Sequence, residues 1–312
     1  MVKQPTRTNN YVIRLNMNGL RGRMFRYSSK KLNPLDILFV YDHHSSLESC
    51  RGIIQLLYSS FGNVTAADLP GIGGMDSFYK IGKKPSINNY AAYMASLMKM
   101  QFKRKKIIIV GVGFGFVIVT RMLQHYPELQ KNVKVVVALK GYADDDDFKL
   151  SKFNKIKYRY LAKLFSTRLL AIMARQILLN GPMLKLAYSL TPTIQERLQI
   201  NKMSKKNSQD IISSEINLWQ INDVRTFMKS VHELMMFSNC DQRIDLPVWH
   251  VAYRGDKLID NSRAEQHLKV IYSSYRRFKT NGRVLPIMKE RKLVNVWFPA
   301  NLKKEILRFN SK

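Results

Sequence analysis

A glycine-rich turn, Gly111 to Gly115, is the part of the chain whose residue spacing points most clearly to chemistry. It follows four β-branched apolar residues, Ile107 to Val110, a run typical of a strand that is buried on both faces. It precedes Phe116 to His125, which has a helical pattern. A sharp turn between a strand and a helix presents one side chain at its apex, where a serine could attack a substrate. The apex residue here is Gly113, which has no side chain.

Strands and helices alternate on both sides of this turn. An Asn18-Gly19 pair predicts a hairpin near the N-terminus. The predicted strands are Tyr11 to Met17, Arg23 to Ser28, Ile37 to Tyr41, Val64 to Leu69, Ile107 to Val110, Val133 to Leu139, Pro247 to Tyr253 and Arg283 to Met288. The predicted helices are Leu47 to Phe61, Asn88 to Phe102, Phe116 to His125, Ser262 to Ser273 and Leu302 to Phe309. This alternation favours an α/β fold with about eight mostly parallel strands, the second antiparallel, and helices on both faces.

The pattern changes after Gly141. From Phe148 to about Arg243 the chain has helical stretches and no clear strand, which predicts a helical cap inserted into the α/β core. The predicted domains are residues 1–144, the first part of the core, 145–243, the cap, and 244–312, the second part of the core. Four adjacent aspartates, Asp144 to Asp147, span the boundary between the core and the cap. They cannot all face one ion, so we interpret them as a solvated loop or a helix start and expect no metal.

The chain resembles the α/β-hydrolase superfamily of the lid-bearing, AB hydrolase-1-like kind over nearly its full length. The most specific match is D-L-P-G-I-G-G-M-D-S, Asp68 to Ser77, which is similar to the family's D-L-P-G-x-G-x-S turn. Asp42 to Cys50 resembles the loop that supplies one amide of the oxyanion hole, and Gly111 to Gly115 resembles the nucleophile elbow. Val248 to Asp260 resembles the strand and loop that present the triad acid. The resemblance implies the α/β-hydrolase fold.

The resemblance also implies a degenerate catalytic triad. It puts the acid at Asp256, the nucleophile at Gly113 and the histidine, counted back from Pro299, near Lys292. Loss of the nucleophile alone costs roughly 10⁶-fold in a triad enzyme. A lysine beside Asp256 would form an ion pair rather than act as a base. Alternatively, Asp256 only orders its loop, and Gly113 only relieves a strained backbone.

The resemblance further implies an altered oxyanion-loop region, formed by His43, His44 and Phe114, because a histidine replaces a glycine that lets backbone amides approach the substrate. The two histidines could instead be a polar patch at a sheet edge. Cys50 is a stray thiol or, less favoured, a replacement nucleophile, and His250 is interpreted as a core histidine. Phe116 stands at the third glycine of G-x-G-x-x-G, so a dinucleotide site, and any cofactor, is not expected.

The composition bounds the partners and the location. Lys plus Arg is 52 against 22 for Asp plus Glu, a net charge of +30. This excess favours anionic surfaces, membrane or nucleic acid, although its spread along the chain is also typical of an ordinary solvated surface. The two cysteines are far apart, and the N-terminus has no apolar stretch typical of a signal peptide. We expect a cytoplasmic protein and leave open a peripheral position at the membrane, on which Tyr158 to Leu190 could lie.

Two functions follow as expectations. The first is a hydrolase-fold pseudoenzyme that binds a small apolar ligand, a lipid or a partner. The second is an active, esterase- or lipase-like hydrolase that uses other catalytic groups. They are distinguished by whether a Ser, Cys, Thr or Asp side chain lies above the Gly113 turn, within hydrogen-bond reach of a histidine. The sequence does not indicate the oligomeric state.

Overall fold

One eight-stranded sheet organises the protein. The computed structural model describes residues 10–30, 34–56, 58–103, 105–190, 205–280 and 299–308. The strands lie in the order β1-β2-β4-β3-β5-β6-β7-β8. They are β1 (Asn10–Met17), β2 (Leu20–Tyr27), β3 (Leu35–Val40), β4 (Gly62–Ala67), β5 (Ile107–Val112), β6 (Val133–Leu139), β7 (Ile244–Tyr253) and β8 (Tyr272–Thr280).

The strand directions agree with the sequence prediction. β2 is antiparallel to both of its neighbours, β1 and β4, and the pairs from β4 to β8 across the sheet are parallel. β5 lies between β3 and β6, and every one of its residues is buried. The prediction that Ile107 to Val110 is a central strand is therefore confirmed. Its uninterrupted apolar run requires cover on both faces, and a central position gives that cover.

Ten α-helices in the described residues follow or connect the strands from β3 onward. They are α1 (Leu47–Leu56), α2 (Ile87–Gln101), α3 (Phe114–His125), α4 (Lys152–Phe165), α5 (Arg168–Ile177), α6 (Gly181–Leu190), α7 (Lys205–Ile221), α8 (Val224–Leu234), α9 (Asn261–Ile271) and α10 (Ala300–Arg308). Between β6 and β7, the described residues form α4 to α8 and a single 3₁₀ turn, and they contribute no strand to the sheet. No single helix in the described part of the chain has the length and apolar character to cross a membrane, but α5 and Gly181–Ala187, bent by 73°, meet the criteria as a pair.

The C-terminal part of the sheet differs from the prediction. α9 ends at Ile271, and β8 begins at Tyr272, where the sequence pattern predicts the end of a helix. Among the described strands β8 lies at the edge of the sheet, is rich in polar and basic residues, and has only Tyr272, Phe278 and Thr280 buried. Such a strand lacks the apolar alternation on which the sequence prediction depends. The predicted strand from Arg283 to Met288 lies outside the described residues.

The two ends of the α4–α8 segment meet beside the sheet, in a contact that we call the neck. The amide of Asp145 donates to the carbonyl of Phe237 at 3.0 Å, and the amide of Asn239 donates to the carbonyl of Ala143 at 2.9 Å. The carboxylate of Asp147 is buried and accepts the amide of Ala143 at 2.7 Å. The chain therefore enters and leaves this segment at one place.

The acidic run is part of the neck. Asp144 caps a one-turn 3₁₀ helix, Asp145–Asp147, so the run is a helix start and not a fully solvated loop. The carboxylates of Asp144, Asp145 and Asp146 lie within 4.8 Å of one another, closer together than we expected from adjacent residues. The ammonium of Lys155 lies 3.3 Å from the Asp145 carboxylate and 2.6 Å from that of Asp146, which neutralises part of their charge.

Candidate active site

The Gly111–Gly115 turn is a tight junction between β5 and α3. Gly113 has φ 49° and ψ −114°, a left-handed conformation that most residues adopt only with strain. A Cβ atom built on Gly115 would lie 2.4 Å from the carbonyl oxygen of Val40, and one on Gly111 would lie 2.6 Å from the Cα of Phe116. The flanking glycines are thus required because the helix passes so close to the strands.

The carboxylate of Asp42 lies directly above Gly113. A Cβ atom built on Gly113 would be 2.6 Å from Oδ2 of Asp42, so the two side chains cannot coexist without movement. Oδ1 of Asp42 accepts the backbone amide of His43 at 2.8 Å and that of Phe114 at 3.0 Å. These amides come from the loop after β3 and from the residue after the elbow apex. In hydrolases of this kind the two positions supply the oxyanion hole.

Asp42 is held as a carboxylate. Its burial opposes ionisation, but the His43 side chain, with Nδ1 3.0 Å from Oδ1, and the two amides outweigh burial and hold the pKa of Asp42 well below its usual range. Although the surrounding protein atoms desolvate the carboxylate, 40% of the side-chain surface is still exposed to solvent. Asp42 therefore meets the criterion for a reactive group set by the sequence: it lies above the turn and within hydrogen-bond reach of a histidine.

Two histidines and two aromatic residues form a cluster over this loop. The His43 ring stacks on Phe227 of α8, with centroids 4.8 Å apart and an interplanar angle of 13°. His44 contacts Trp219 of α7 at 4.6 Å, and its Nε2 lies 3.1 Å from Oε2 of the buried Glu215. Nδ1 of His44 is buried and has no hydrogen-bond partner among the described residues. The helices α7 and α8 thus cover the loop in which the sequence predicts the oxyanion region.

Phe114, the third residue of the predicted oxyanion region, contributes its amide and not its side chain. Its ring is fully buried and packs edge-on against Tyr90 at 5.2 Å and against His43 at 5.6 Å. These contacts fix the first turn of α3, and with it the direction of the amide towards Asp42.

The Asp68–Ser77 turn fastens α7 and α8 to the core. Its Gly73 amide donates to Oδ1 of Asn222 at 2.7 Å, and the hydroxyl of Ser77 bonds that of Thr226 at 2.7 Å. Burial raises the pKa of Asp68 to about 7, against the opposing effect of Arg23, whose Nε lies 3.0 Å away. The closest sequence match to the hydrolase family is thus a structural element that positions the cover over the cleft.

Asp256, the predicted triad acid, is 5% exposed and orders its own loop. Its Oδ1 accepts the amides of Leu258 at 2.8 Å and Ile259 at 3.0 Å. The ammonium of Lys140 lies 3.8 Å from Oδ2. Neither His43 nor His44 bonds Asp256 within the described structure. Lys292 lies outside the described residues, so the predicted approach of Lys292 to Asp256 stays a prediction.

The remaining candidates are buried. Burial raises the pKa of Cys50 to about 12, although the hydroxyls of Ser45 and Ser49 oppose this, so the group is a thiol at neutral pH and a poor nucleophile. His250 is fully buried on β7 and bonds the Tyr275 hydroxyl at 3.0 Å.

No protein-family model and no curated protein matches the sequence. Solved structures do match over the full chain. A serine-to-glycine mutant of an N-acyl homoserine lactonase, in complex with N-hexanoyl homoserine lactone, is 14% identical, has a TM-score of 0.63, and the match covers 96% of this chain and 97% of that one. The chain has the α/β-hydrolase fold. An esterase from Thermogutta terrifontis is 12% identical with a TM-score of 0.61, covering 97% of this chain and 100% of that one.

A third match is a mutant of a candidate epoxide hydrolase from Pseudomonas aeruginosa, which is 14% identical with a TM-score of 0.68. That match covers 99% of this chain and 98% of that chain. At such low identity the comparisons establish the α/β-hydrolase fold and leave the activity of this chain to its own residues.

Asp42 is the site residue that sequence reasoning missed. It lies two residues after the end of β3, at the start of the loop that resembles the family's oxyanion loop. Two sequence features together could have revealed it: an acidic residue in that loop and the absence of a side chain at Gly113. The Asp42 carboxylate lies so close to Gly113 that a side chain at position 113 would collide with it.

Proposed function

We propose that this α/β-hydrolase-fold protein lacks serine-hydrolase activity and uses the cleft above Gly113 to bind a small apolar ligand. The observation that carries the proposal is the bonding of Asp42 Oδ1 to the amides of His43 and Phe114. An acyl-transfer enzyme needs these donors for the oxyanion of the tetrahedral intermediate, and removal of one donor costs about 10²- to 10³-fold in rate. In this protein the Asp42 carboxylate already occupies both donors, so they cannot stabilise an oxyanion. In addition, Gly113 provides no hydroxyl to attack a substrate.

The ligand class is inferred from the residues over the turn. Phe227 and Trp219 present aromatic surface next to His43 and His44, and Asp42 adds a charge whose side chain is 40% exposed. Apolar surface with a few polar groups is the usual lining of a small-molecule site. A lipid chain or an apolar segment of a protein partner would satisfy the same surface.

Activity-based labelling tests the loss of chemistry. We expect no labelling by a fluorophosphonate probe and no turnover of short acyl esters above background. The Asp42→Gly/Gly113→Ser double variant frees the two amides, removes the clash and restores a hydroxyl. The single Gly113→Ser variant is the matched control, because its new side chain would meet Asp42. Labelling of the unmodified protein at ordinary enzymatic rates would refute the proposal.

Binding is measured separately. Titration with 1-octanol or a medium-chain fatty acid, followed by Trp219 fluorescence in a Trp249→Phe/Trp297→Phe background that leaves Trp219 as the single tryptophan, is expected to give a saturable change. The Phe227→Ala variant should weaken it because the ring contacts both His43 and Trp219. A linear, non-saturating response in both proteins would argue against a ligand site.

A second candidate function is an active hydrolase in which Asp42 is the nucleophile. Three observations favour it: the bonds to the Asp42 carboxylate within the described structure all reach Oδ1, Oδ2 points over Gly113, and His44 is paired with Glu215. Oδ2 could attack the carbon of an epoxide, forming an ester as the C–O bond opens and the alkoxide takes a proton from water. Water activated by His44 would then hydrolyse the ester and regenerate the carboxylate.

Mass spectrometry distinguishes the two functions. Incubation with styrene oxide would leave a covalent adduct on the peptide that contains Asp42 if the second function holds, and Asp42→Asn would abolish both adduct and turnover. The absence of an adduct and of diol product supports the binding function.

A further inference from the structure

Helices α4 to α6 expose an unusual amount of apolar surface. They and their C-caps carry thirteen of the twenty large apolar side chains that are exposed in the described residues. Phe153, Leu169 and Tyr160 are 75%, 69% and 67% exposed. Scattered exposed apolar residues are ordinary, but a concentration on three consecutive helices marks an interaction surface.

The same helices are strongly basic. Residues 152–190 contain eight Lys and Arg and no Asp or Glu, whereas the chain as a whole has 22 acidic residues. Lys155 pairs with Asp145 and Asp146, and the other seven basic residues have no acidic residue on their own helices. Long basic side chains can lie along apolar surface and keep their charged ends in a polar layer.

A cationic groove lies next to this surface. It has a volume of about 550 Å³, and its lining includes Arg159, Lys163 and Arg168 from α4 and α5, Arg225 and Lys229 from α8, and no acidic residue. The Arg225 guanidinium lies 3.6 Å from the centroid of the Tyr79 ring, and its Nε donates to the carbonyl of Ser166 at 3.2 Å. The groove therefore has a fixed guanidinium beside other basic side chains, an arrangement suited to phosphate oxygens.

We propose that α4 to α6 dock on an anionic phospholipid bilayer, with a headgroup phosphate in the groove lined by Arg159, Lys163, Arg168 and Arg225. This interaction is independent of the proposed function of the cleft above Gly113. A bilayer matches both parts of the surface, since its headgroup layer is anionic and its acyl region accepts apolar side chains. A nucleic acid would match the basic groove but would leave exposed side chains such as Phe153 and Leu169 without a partner.

Vesicle co-sedimentation with the full chain tests the proposal. We expect binding to one-to-three phosphatidylserine–phosphatidylcholine vesicles and little binding to phosphatidylcholine alone, with the difference shrinking at high salt. Lys163→Gln/Arg168→Gln and, separately, Phe153→Ser/Leu169→Ser should each reduce binding about tenfold or more. All four side chains are exposed, so these variants are expected to fold, which thermal unfolding verifies.

Matched controls come from elsewhere on the surface. Lys303→Gln/Lys304→Gln removes two exposed charges from α10, and Val270→Ser removes an exposed apolar side chain from α9. Neither should change vesicle binding. The proposal is overturned if phosphatidylcholine vesicles bind equally well, or if the controls weaken binding as much as the α4–α5 variants. It is also overturned if duplex nucleic acid binds tightly while anionic vesicles do not.

Discussion

Replacing Asp42 with alanine would remove the acceptor shared by the amides of His43 and Phe114. Hydrogen bonds to a charged group contribute about 1.5 to 3 kcal/mol each when buried. Because the Asp42 side chain is 40% exposed, water can replace part of both bonds. We therefore expect the free energy of unfolding to fall by about 2 to 3 kcal/mol for Asp42→Ala. For Asp42→Asn, which keeps one acceptor oxygen, we expect a fall of about 1 kcal/mol.

Urea unfolding at several pH values measures this effect. The folded-state pKa of Asp42 is lowered, so its stabilisation is fully present above the unfolded value of about 3.9 and is lost as the pH falls through the folded value. The difference between wild type and Asp42→Asn should therefore be present at about pH 5 and should shrink below about pH 4. The control is Asp241→Asn, which changes an exposed carboxylate paired with Arg121. If Asp42→Ala is as stable as wild type at neutral pH, the carboxylate is not bonded to these amides.

Three other predictions concern stability. Burial, and to a lesser extent Arg277, lowers the pKa of His250 to about 4. We therefore expect the free energy of unfolding to fall by about 3 kcal/mol between pH 6.5 and pH 4. Denaturant titrations at the two pH values should show that His250→Gln removes most of that loss. Asp256→Ala, which removes the acceptor of two amides, should lower the free energy of unfolding by about 2 to 3 kcal/mol, and an unchanged urea midpoint would contradict the loop-ordering role. Gly115→Ala places a methyl group 2.4 Å from the Val40 carbonyl oxygen, so overpacking should lower the free energy of unfolding by about 1 to 3 kcal/mol and reduce the thermal midpoint, whereas Gly181→Ala, with open space around it, should not.

The sequence predicts the centre of this fold better than its edge. β5 and the glycine turn are predictable because a buried parallel strand and a close strand–helix approach each require particular residue types. β8 is not predictable in the same way, since an edge strand tolerates polar and basic residues on most of its positions. The buried position of His250 follows from its apolar strand, and the structure confirms it.

Only part of the candidate site could be predicted from the sequence. A missing side chain at Gly113 is visible in the sequence, but the group that takes its place comes from a residue 71 positions earlier, in the loop that follows β3. Asp256 as the triad acid stays a prediction, and its bonds to Leu258 and Ile259 are local and have no signature in residue spacing. Which distant residues come into contact depends on how the strands pack, and a single sequence does not specify that packing.

The neck has a consequence for how this protein can vary. The amides of Asp145 and Asn239 each donate to a carbonyl on the opposite side of the neck. The segment between these two residues is therefore a loop whose ends are held together. The entropy of closing such a loop changes by only about 0.6 kcal/mol for each doubling of its length. Helices between the two ends can therefore lengthen, shorten or be exchanged while β6 and β7 remain paired. The sheet can therefore keep the same strand order while the helices between Asp145 and Asn239 change in sequence and length.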